Sequence, residues 1–275
     1  MRKHLSTIVF IVLFLTGLSL LLYPTISNYW NTLHQSEVIT EYTGAAAELD
    51  DNAYEELLSA AYAYNDRLSA VGSSLSLSEE DRKEYEAQLD ISGQGIMGYI
   101  EIPKIECRLP VYHGTDEGTL LSAVGHIEGS SLPVGGESTH CVLSGHRGLP
   151  SARLFTDLDQ LEKGDIFTIY VLDEAVTYEV DQILVVLPEE LEPLAIVEGE
   201  DLCTLVTCTP YGVNTHRMLV RGRRVTNDAE KPTVRVTADA VRIETPLVVS
   251  VAEIPILLLF VTVLLVEACR KRREV

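Results

Sequence analysis

The sequence is short of basic residues. It has 21 lysines and arginines against 41 aspartates and glutamates, a formal net charge of −20. Residues 28–245 exclude three acidic and six basic side chains near the ends, so they carry 38 acidic against 15 basic residues, a net charge of −23. Nucleic acid phosphates and anionic lipid headgroups would repel such a domain. The charge therefore excludes nucleic acid as a partner, and it indicates either solubility or attraction of a basic partner.

Cysteine motifs are also lacking. The five cysteines include no C-x-x-C pair, so the sequence predicts neither a zinc site nor a thioredoxin-like redox motif. The sequence has no internal repeat and no low-complexity segment. Four cysteines precede the C-terminal apolar run, namely Cys107, Cys141, Cys203 and Cys208. They could form two disulfides, or three of them could be free thiols buried as small apolar residues.

Two apolar runs stand near the ends of the chain. Residues 5–22 carry no charge, follow Arg2 and Lys3, and precede no Ala-x-Ala cleavage pattern, so we expect a retained anchor rather than a cleaved signal peptide. Residues 253–269 are short for a membrane span, and Arg-Lys-Arg-Arg follows at 270–273. The alternative for this second run is a buried core helix. Positive-inside bias predicts that both termini are cytoplasmic and that the chain between the runs is extracellular.

Further patterns divide the chain between these runs. Apolar residues at spacings of three and four predict helix within residues 30–68, whereas short β-branched runs separated by turn residues follow Gly98. Several short strands with few helices indicate a closed β-barrel or a sandwich. Pro110 indicates that residues 108–112 form an edge strand, and residues 151–161 are predicted to be helical.

Seven segments are predicted in all. They are a cytoplasmic N-terminus (1–4), a transmembrane anchor (5–24), an extracellular helical region (25–96), a mainly β domain (97–228), a linker (229–252), a second transmembrane helix (253–269) and a cytoplasmic basic tail (270–275).

Cys208 is the candidate nucleophile. It ends a predicted strand just before Thr-Pro-Tyr-Gly, so it is partly exposed on a rigid element. The chain re-enters a strand at His216, and the resulting hairpin places an early residue of that strand beside Cys208, at about the 5 Å spacing of paired strands. Arg217 and Arg221 share one face of the second strand, and His216 and Met218 share the other. A guanidinium beside the thiol would stabilise a thiolate or a developing oxyanion. Cys203 is an odd number of residues away and points to the other face, so it is a poor resolving partner.

A cysteine nucleophile also needs a general acid or base. His146 follows an apolar strand and lies between glycines at 145 and 148, which suits a functional loop. Spacing alone does not choose among the histidines of the β region, which are His126, His140, His146 and His216.

Four runs of residues resemble a known family. Thr-Leu-Val-Thr-Cys at 204–208 matches the Thr-Leu-x-Thr-Cys signature of sortases, and residues 209–217 resemble the class C, pilus-building sortases. Ser-Gly-His-Arg-Gly at 144–148 resembles the family's catalytic histidine segment, and residues 97–105 resemble its first barrel strand. One departure concerns the lid of class C enzymes, which an Asp-Pro-aromatic motif anchors. Residues 65–95 occupy the lid position, but the sequence contains no Asp-Pro.

The resemblance implies a closed sortase-type β-barrel of about eight strands with short helices. It implies that Cys208 is the nucleophile, His146 the general acid and base, and Arg217 the oxyanion stabiliser. The family cleaves a Leu-Pro-x-Thr-Gly-like sorting signal of a pilin or surface protein between Thr and Gly, and class C members transfer the acyl group to a pilin lysine. No metal or organic cofactor is expected.

Other functions fit parts of this pattern. A thiol hydrolase would use the same residues, and dependence on an acceptor amine separates the two. A sortase that anchors surface proteins to peptidoglycan is a second alternative, although the second apolar run favours the pilin enzyme. A non-catalytic tethered β domain, with Cys208 as a core thiol, is the third, and thiol labelling distinguishes it because core thiols are inert.

Overall fold

The computed structural model of the chain describes residues 2–71 and 77–225. The described residues divide between two compact units, residues 2–29 and residues 30–225. The predicted linker at 229–252, the second membrane helix at 253–269 and the basic tail lie outside the described residues and stay predictions.

Helix α1 (Arg2–Ala47) contains the N-terminal apolar run. From Val9 onward it is long and apolar enough to cross a membrane, by length and composition, and no other helix of the described residues meets that test. A signal sequence near an N-terminus meets the same test. The anchor at residues 5–24 and the orientation of the termini therefore stay predictions.

Three shorter helices follow, namely α2 (Asp51–Val71), α3 (Glu79–Glu86) and α4 (Glu117–Leu120). Helix α3 begins at Ser78, whose hydroxyl accepts a hydrogen bond from the Asp81 amide at 3.2 Å. Such a cap satisfies one of the free N–H groups of the first turn, and the three acidic residues of that turn complement the helix dipole.

Eight strands form a closed barrel. They are β1 (Ile96–Ile102), β2 (Cys107–His113), β3 (Val124–His126), β4 (Thr139–Ser144), β5 (Ile166–Val171), β6 (Glu174–Val186), β7 (Asp201–Thr209) and β8 (His216–Arg224). The order around the barrel is β1-β2-β3-β4-β7-β8-β6-β5, and β5 pairs with β1 to close it. The β2–β3 and β4–β7 pairs are parallel and the others are antiparallel. The predicted closed barrel of eight strands is confirmed.

Alternate residues of the strands enter the barrel core, as the period of two in a strand requires. The interior cluster includes Ile100, Leu143, Phe167, Leu205 and Val220. A smaller cluster covers the outer face of β4, β7 and β8, and its buried members are Val142, Leu194, Val206 and Leu219.

Buried polar contacts attach the preceding helices to the barrel. The Tyr42 hydroxyl donates to the Met97 carbonyl at 2.9 Å and accepts from the Leu172 amide at 2.7 Å. Asn65 holds the backbone of Leu132 through two hydrogen bonds, of 3.2 and 2.7 Å. Each pair satisfies groups that would otherwise be buried without partners.

The prediction of an edge strand at residues 108–112 was wrong. A closed barrel has no edges, and β2 pairs with β1 on one side and with β3 on the other. Pro110 is accommodated because the pairing with the short strand β3 begins only at the next residue, Val111.

The helix predicted at residues 151–161 was also wrong. The segment consists of turns with one short 3-10 helix, Leu158–Gln160. Leu154 has a φ of 41°, a left-handed conformation that does not occur inside an α-helix. The apolar spacing reflects burial instead, because Leu154 and Phe155 both enter the barrel core.

Candidate active site

The β7–β8 hairpin carries two of the three predicted site residues. Cys208 and Arg217 are direct Cα partners in the antiparallel ladder, as predicted. Val206 and Leu219 belong to the cluster on the outer face of the barrel. Cys208 and Arg217 lie two residues from Val206 and Leu219 along their strands, so they are on the same outer face. Both residues are half-buried, which leaves their functional groups within reach of a substrate.

Within residues 2–71 and 77–225, the hydrogen-bond partners of the Arg217 guanidinium are backbone oxygens. Its Nη1 donates to the carbonyl oxygens of Asn214, at 3.3 Å, and of His216, at 3.1 Å. No ion pair of the described residues includes Arg217. Since a guanidinium has five N–H donors in a fixed fork, other donors are left for an oxyanion.

His146 lies two residues beyond the end of β4. In the parallel β4–β7 ladder, Ser144 is the partner of Val206. Continuing both chains by two residues leads to His146 on one side and Cys208 on the other. The parallel register therefore brings the loop that carries His146, just past the end of β4, to the level of Cys208.

Hydrogen bonds carry this alignment past the end of the ladder. The Gly145 amide donates to the Val206 carbonyl at 3.0 Å, and the Thr207 hydroxyl donates to the Gly145 carbonyl at 2.8 Å. On the other side, the Phe155 amide donates to the His146 carbonyl at 3.1 Å. Gly145 is required because a Cβ atom there would lie 2.7 Å from the Phe155 ring. Sequence analysis missed Thr207 and Phe155, although Thr207 lies inside the quoted signature.

The turn after Cys208 packs against the loop that carries His146. Gly148 has a φ of 78°, and a Cβ atom there would lie 2.9 Å from the Tyr211 ring. The Gly148 amide also donates to the Thr156 hydroxyl at 3.1 Å. The two loops therefore touch, which limits how far they can move apart.

Two other candidate histidines have other partners. The His126 ring is fully buried, with Nδ1 2.9 Å from the Tyr85 hydroxyl and Nε2 2.8 Å from the Ser131 carbonyl. His216 lies beside Thr215, whose hydroxyl is 2.9 Å from its Nδ1.

His140 is buried between a carbonyl and a hydroxyl. Its Nδ1 lies 2.8 Å from the Ala195 carbonyl, and its Nε2 lies 2.7 Å from the Thr204 hydroxyl. Burial lowers the pKa of His140, because the site disfavours the charged ring. Among the candidates, only the His146 ring has no hydrogen-bond partner within the described part of the chain.

The remaining described cysteines are free thiols inside the protein. Cys141 and Cys203 are direct partners in the β4–β7 ladder, and both belong to the barrel core. Burial raises the pKa of the Cys107 thiol to about 12 and raises that of Cys203 well above its usual value. Within residues 2–71 and 77–225, no three His, Cys, Asp or Glu side chains are grouped as metal ligands would be.

The described part of the lid-position segment binds to β2 and β3. The Tyr85 hydroxyl donates to the His126 carbonyl at 3.2 Å and accepts from the Gly114 amide at 3.0 Å. Arg82 of α3 pairs with Glu128 at 3.1 Å. The hydrogen bonds and ion pairs that the structure shows for residues 77–95 include none to the three predicted site residues. Residues 72–76 lie outside the described chain, so the lid itself stays untested.

A thiol and a guanidinium face each other beside a histidine loop at one end of a closed barrel, an arrangement whose groups suit acyl transfer through a cysteine. The family model described as "Sortase domain" matches residues 100–225. The chain belongs to the sortase family, whose members are cysteine transpeptidases.

Solved structures of class C sortases are similar to the chain. Sortase C1 from Streptococcus agalactiae is 53% identical, with a TM-score of 0.69, over 70% of this chain and all of that one. Sortase C of Streptococcus pneumoniae, whose crystal structure was described as informative on pilin substrate specificity, is 42% identical, with a TM-score of 0.61, over 71% of this chain and all of that one.

Curated relatives match over a shorter stretch. Sortase D of Bacillus subtilis is 33% identical over 132 residues, which are 47% of this chain and 64% of the relative. Sortase A of Bacillus anthracis is 30% identical over 147 residues, which are 53% of this chain and 67% of the relative. The chain thus spans about two thirds of the length of these two proteins.

Proposed function

We propose that the protein is a membrane-anchored class C sortase that joins pilins. It cleaves a Leu-Pro-x-Thr-Gly-like sorting signal between Thr and Gly and transfers the acyl group to a lysine amine of an acceptor pilin. The observation that carries the proposal is the direct pairing of Cys208 with Arg217 across the β7–β8 ladder, beside the loop that carries His146. The likeness to class C structures, including one discussed in terms of pilin specificity, supports the pilin substrate.

The first half of the reaction forms an acyl-enzyme. The Cys208 thiolate attacks the carbonyl carbon of the substrate threonine, and the donors of Arg217 stabilise the oxyanion that develops. The bond to the glycine nitrogen breaks as protonated His146 gives its proton to the leaving amine. The products are a thioester on Cys208 and a free glycine amine.

The second half transfers the acyl group. The incoming lysine ammonium first gives one proton to water, and its neutral nitrogen attacks the thioester carbonyl. His146 takes the second proton from that nitrogen as the amide forms. The carbon–sulfur bond breaks, Cys208 returns to its thiolate form, and an isopeptide bond joins the two pilins. The excess of acidic side chains in the extracellular region would favour the approach of a lysine-bearing partner.

The membrane arrangement is part of the proposal. Residues 5–24 anchor the N-terminus and residues 253–269 form a second span, so that both termini are cytoplasmic and the barrel is extracellular. The apolar, exposed first part of α1 supports the first span.

A peptide assay on the full chain in detergent tests the function. A Leu-Pro-x-Thr-Gly peptide is incubated alone, with a lysine-bearing pilin domain, or with a peptidoglycan fragment that carries a free amine, and Cys208→Ala is the control. Cleavage that requires Cys208 and gives a peptide–pilin conjugate supports the proposal. A conjugate with peptidoglycan amines alone would indicate an anchoring sortase, and free acid in the presence of the pilin would indicate a hydrolase. Cleavage by the Cys208→Ala protein would remove the nucleophile assignment.

A further inference from the structure

The residue after His146 is a nearly buried arginine. The Arg147 side chain is only 10% exposed, and its guanidinium pairs with the carboxylate of Asp159. Removing a charge from water is costly unless its partner is well placed. Asp159 offsets part of that cost, since the Arg147 Nε atom stays buried without a hydrogen-bond partner among the described residues. Asp159 itself lies in the 3-10 turn Leu158–Gln160, whose first residue is fully buried in the barrel core. The pair therefore joins the His146 loop to a rigid part of the barrel.

Three contacts join this loop to the segment that packs under it. Two use the backbone of the loop, from the Phe155 amide to the His146 carbonyl and from the Gly148 amide to the Thr156 hydroxyl. The third is the ion pair of Arg147 with Asp159. Of the three contacts, it alone uses a side chain of the loop.

The loop needs such a restraint because glycines flank it. Gly145 and Gly148 lack the side chains that limit backbone rotation, and Gly148 already has a positive φ of 78°. Arg147 is the only side chain between His146 and the second glycine. Holding the Arg147 side chain fixes the backbone of Arg147 and, through the shared peptide bond, that of His146.

We propose that Arg147 and Asp159 form a positioning pair that holds the His146 imidazole in place for proton transfer. This inference rests on the proposed function, in which His146 protonates the leaving amine. The pair acts through His146, so its loss slows the chemical steps while leaving the binding of the sorting signal unchanged.

The chain offers a matched control for this pair. Arg153 pairs with Asp157 at 2.6 Å in the same segment, but the Arg153 side chain is 57% exposed and is outside the His146 loop. The test therefore compares Arg147→Met and Asp159→Asn with Arg153→Met. Arg147→Lys keeps the charge, and the double variant Arg147→Met/Asp159→Asn shows whether the two residues act as a unit.

Two readouts are measured on the full chain in detergent. Steady-state cleavage of the sorting peptide, normalised to titratable Cys208, should show kcat reduced about 10- to 100-fold in both single variants, with KM nearly unchanged. The double variant should match the single ones, and Arg147→Lys should recover most of the rate. Hydrogen exchange of the amides of residues 144–149 should be faster in the Met and Asn variants and unchanged in Arg153→Met.

The exchange readout does not depend on catalysis. If the wild-type protein failed to cleave the peptide, the proposed function would be wrong, yet faster exchange confined to the loop would still support the restraint on His146. A lower unfolding temperature with normal kcat per site and normal loop exchange would show a purely stabilising ion pair and overturn the inference. Faster exchange with normal kcat would also overturn it. Asp159→Asn keeps the test decisive if Arg147→Met does not fold, since the Asp159 side chain is 42% exposed.

Discussion

Cys208 and Arg217 face each other directly across the β7–β8 ladder. Side chains opposed in this way have Cβ atoms about 4.5–5.5 Å apart. The turn between them places Gly212 and Asn214 at positive φ, of 75° and 60°, and the Asn214 amide donates to the Pro210 carbonyl at 3.0 Å. A slip of the register by one residue would move the guanidinium to the other face of the sheet. The hairpin therefore sets the position of Arg217 relative to the thiol.

This relationship predicts the effect of removing the guanidinium. Arg217→Met should lower the rate of acyl-enzyme formation about 10²- to 10³-fold, the usual effect of losing an oxyanion donor. KM for the sorting peptide should change little. Rapid-quench mass spectrometry of the Cys208 adduct measures the rate.

Arg221 is the matched control for that variant. It lies on the same face of β8, four residues further along, and its Nε and Nη2 donate to Asp181 at 2.9 and 2.7 Å. Arg221→Met should lower the unfolding temperature and leave acylation nearly unchanged. Normal acylation in Arg217→Met would mean that another group stabilises the oxyanion.

The sequence predicted the hairpin because its signals are local. A strand of period two, a turn rich in Pro and Gly and a second strand bring Cys208 and Arg217 together without reference to the rest of the fold. The β4–β7 pairing is different, because residues 139–144 and 201–206 are partners in a parallel ladder with two other strands between them in the chain. Spacing alone could not choose His146, and its selection depended on the family resemblance.

The local errors have the same origin. Residues 151–161 carry a spacing of apolar residues that suits a helix, but the barrel core draws Leu154 and Phe155 inward from an irregular segment. Taken by itself, Pro110 indicates an edge strand, but closure of the barrel gives every strand two neighbours. Both errors arose because tertiary packing overrode a local preference.

Thiol labelling of the native protein should modify Cys208 and spare the other described cysteines. Cys141 and Cys203 are buried in the barrel core, and burial raises the pKa of the Cys107 thiol to about 12. A neutral maleimide at pH 7.5, followed by peptide mapping, should show one fast site among the four described cysteines, absent in Cys208→Ala. Fast labelling of Cys107, or no labelling of Cys208, would contradict the burial of the Cys107 thiol and the partial exposure of Cys208.

The buried His140 predicts a loss of stability in mild acid. Burial lowers its pKa below the ordinary value of 6.5, so the unfolded chain binds the proton more tightly than the folded one. Stability from this residue is present above about pH 7 and is lost as the pH falls through 6.5 towards the lower folded pKa. His113, whose pKa burial also lowers, adds to the trend.

His140→Gln tests that contribution. The amide keeps a donor and an acceptor for the two partners but does not titrate. The fall in unfolding temperature between pH 7.5 and 5.5 should be smaller in this variant than in the wild type, by about 2–4 °C for each kcal/mol. The exposed His34→Gln variant should behave as wild type. An equal fall in all three proteins would show that His140 does not contribute.

Gly145 predicts a more specific effect on catalysis. A Cβ atom at Gly145 would lie 2.7 and 2.9 Å from two atoms of the Phe155 ring, closer than ordinary packing allows. Because Phe155 is fully buried and cannot yield, the backbone at residue 145 has to shift. That shift would disturb the hydrogen bonds of Gly145 with Val206 and Thr207, which hold the His146 loop beside the strand of Cys208. Gly145→Ala should therefore lower kcat about 10- to 100-fold.

Replacing the Phe155 ring with a smaller side chain separates this clash from other effects of the new methyl group. Gly145→Ala/Phe155→Leu should recover part of the lost kcat, although Phe155→Leu alone removes core packing and lowers the unfolding temperature. Gly44→Ala is the control, since a Cβ atom in that part of α1 meets no atom within 4 Å. It should stabilise the helix by up to about 1 kcal/mol and leave kcat unchanged. If the double variant recovered nothing while remaining folded, contact with Phe155 would not be what holds the His146 loop against β7.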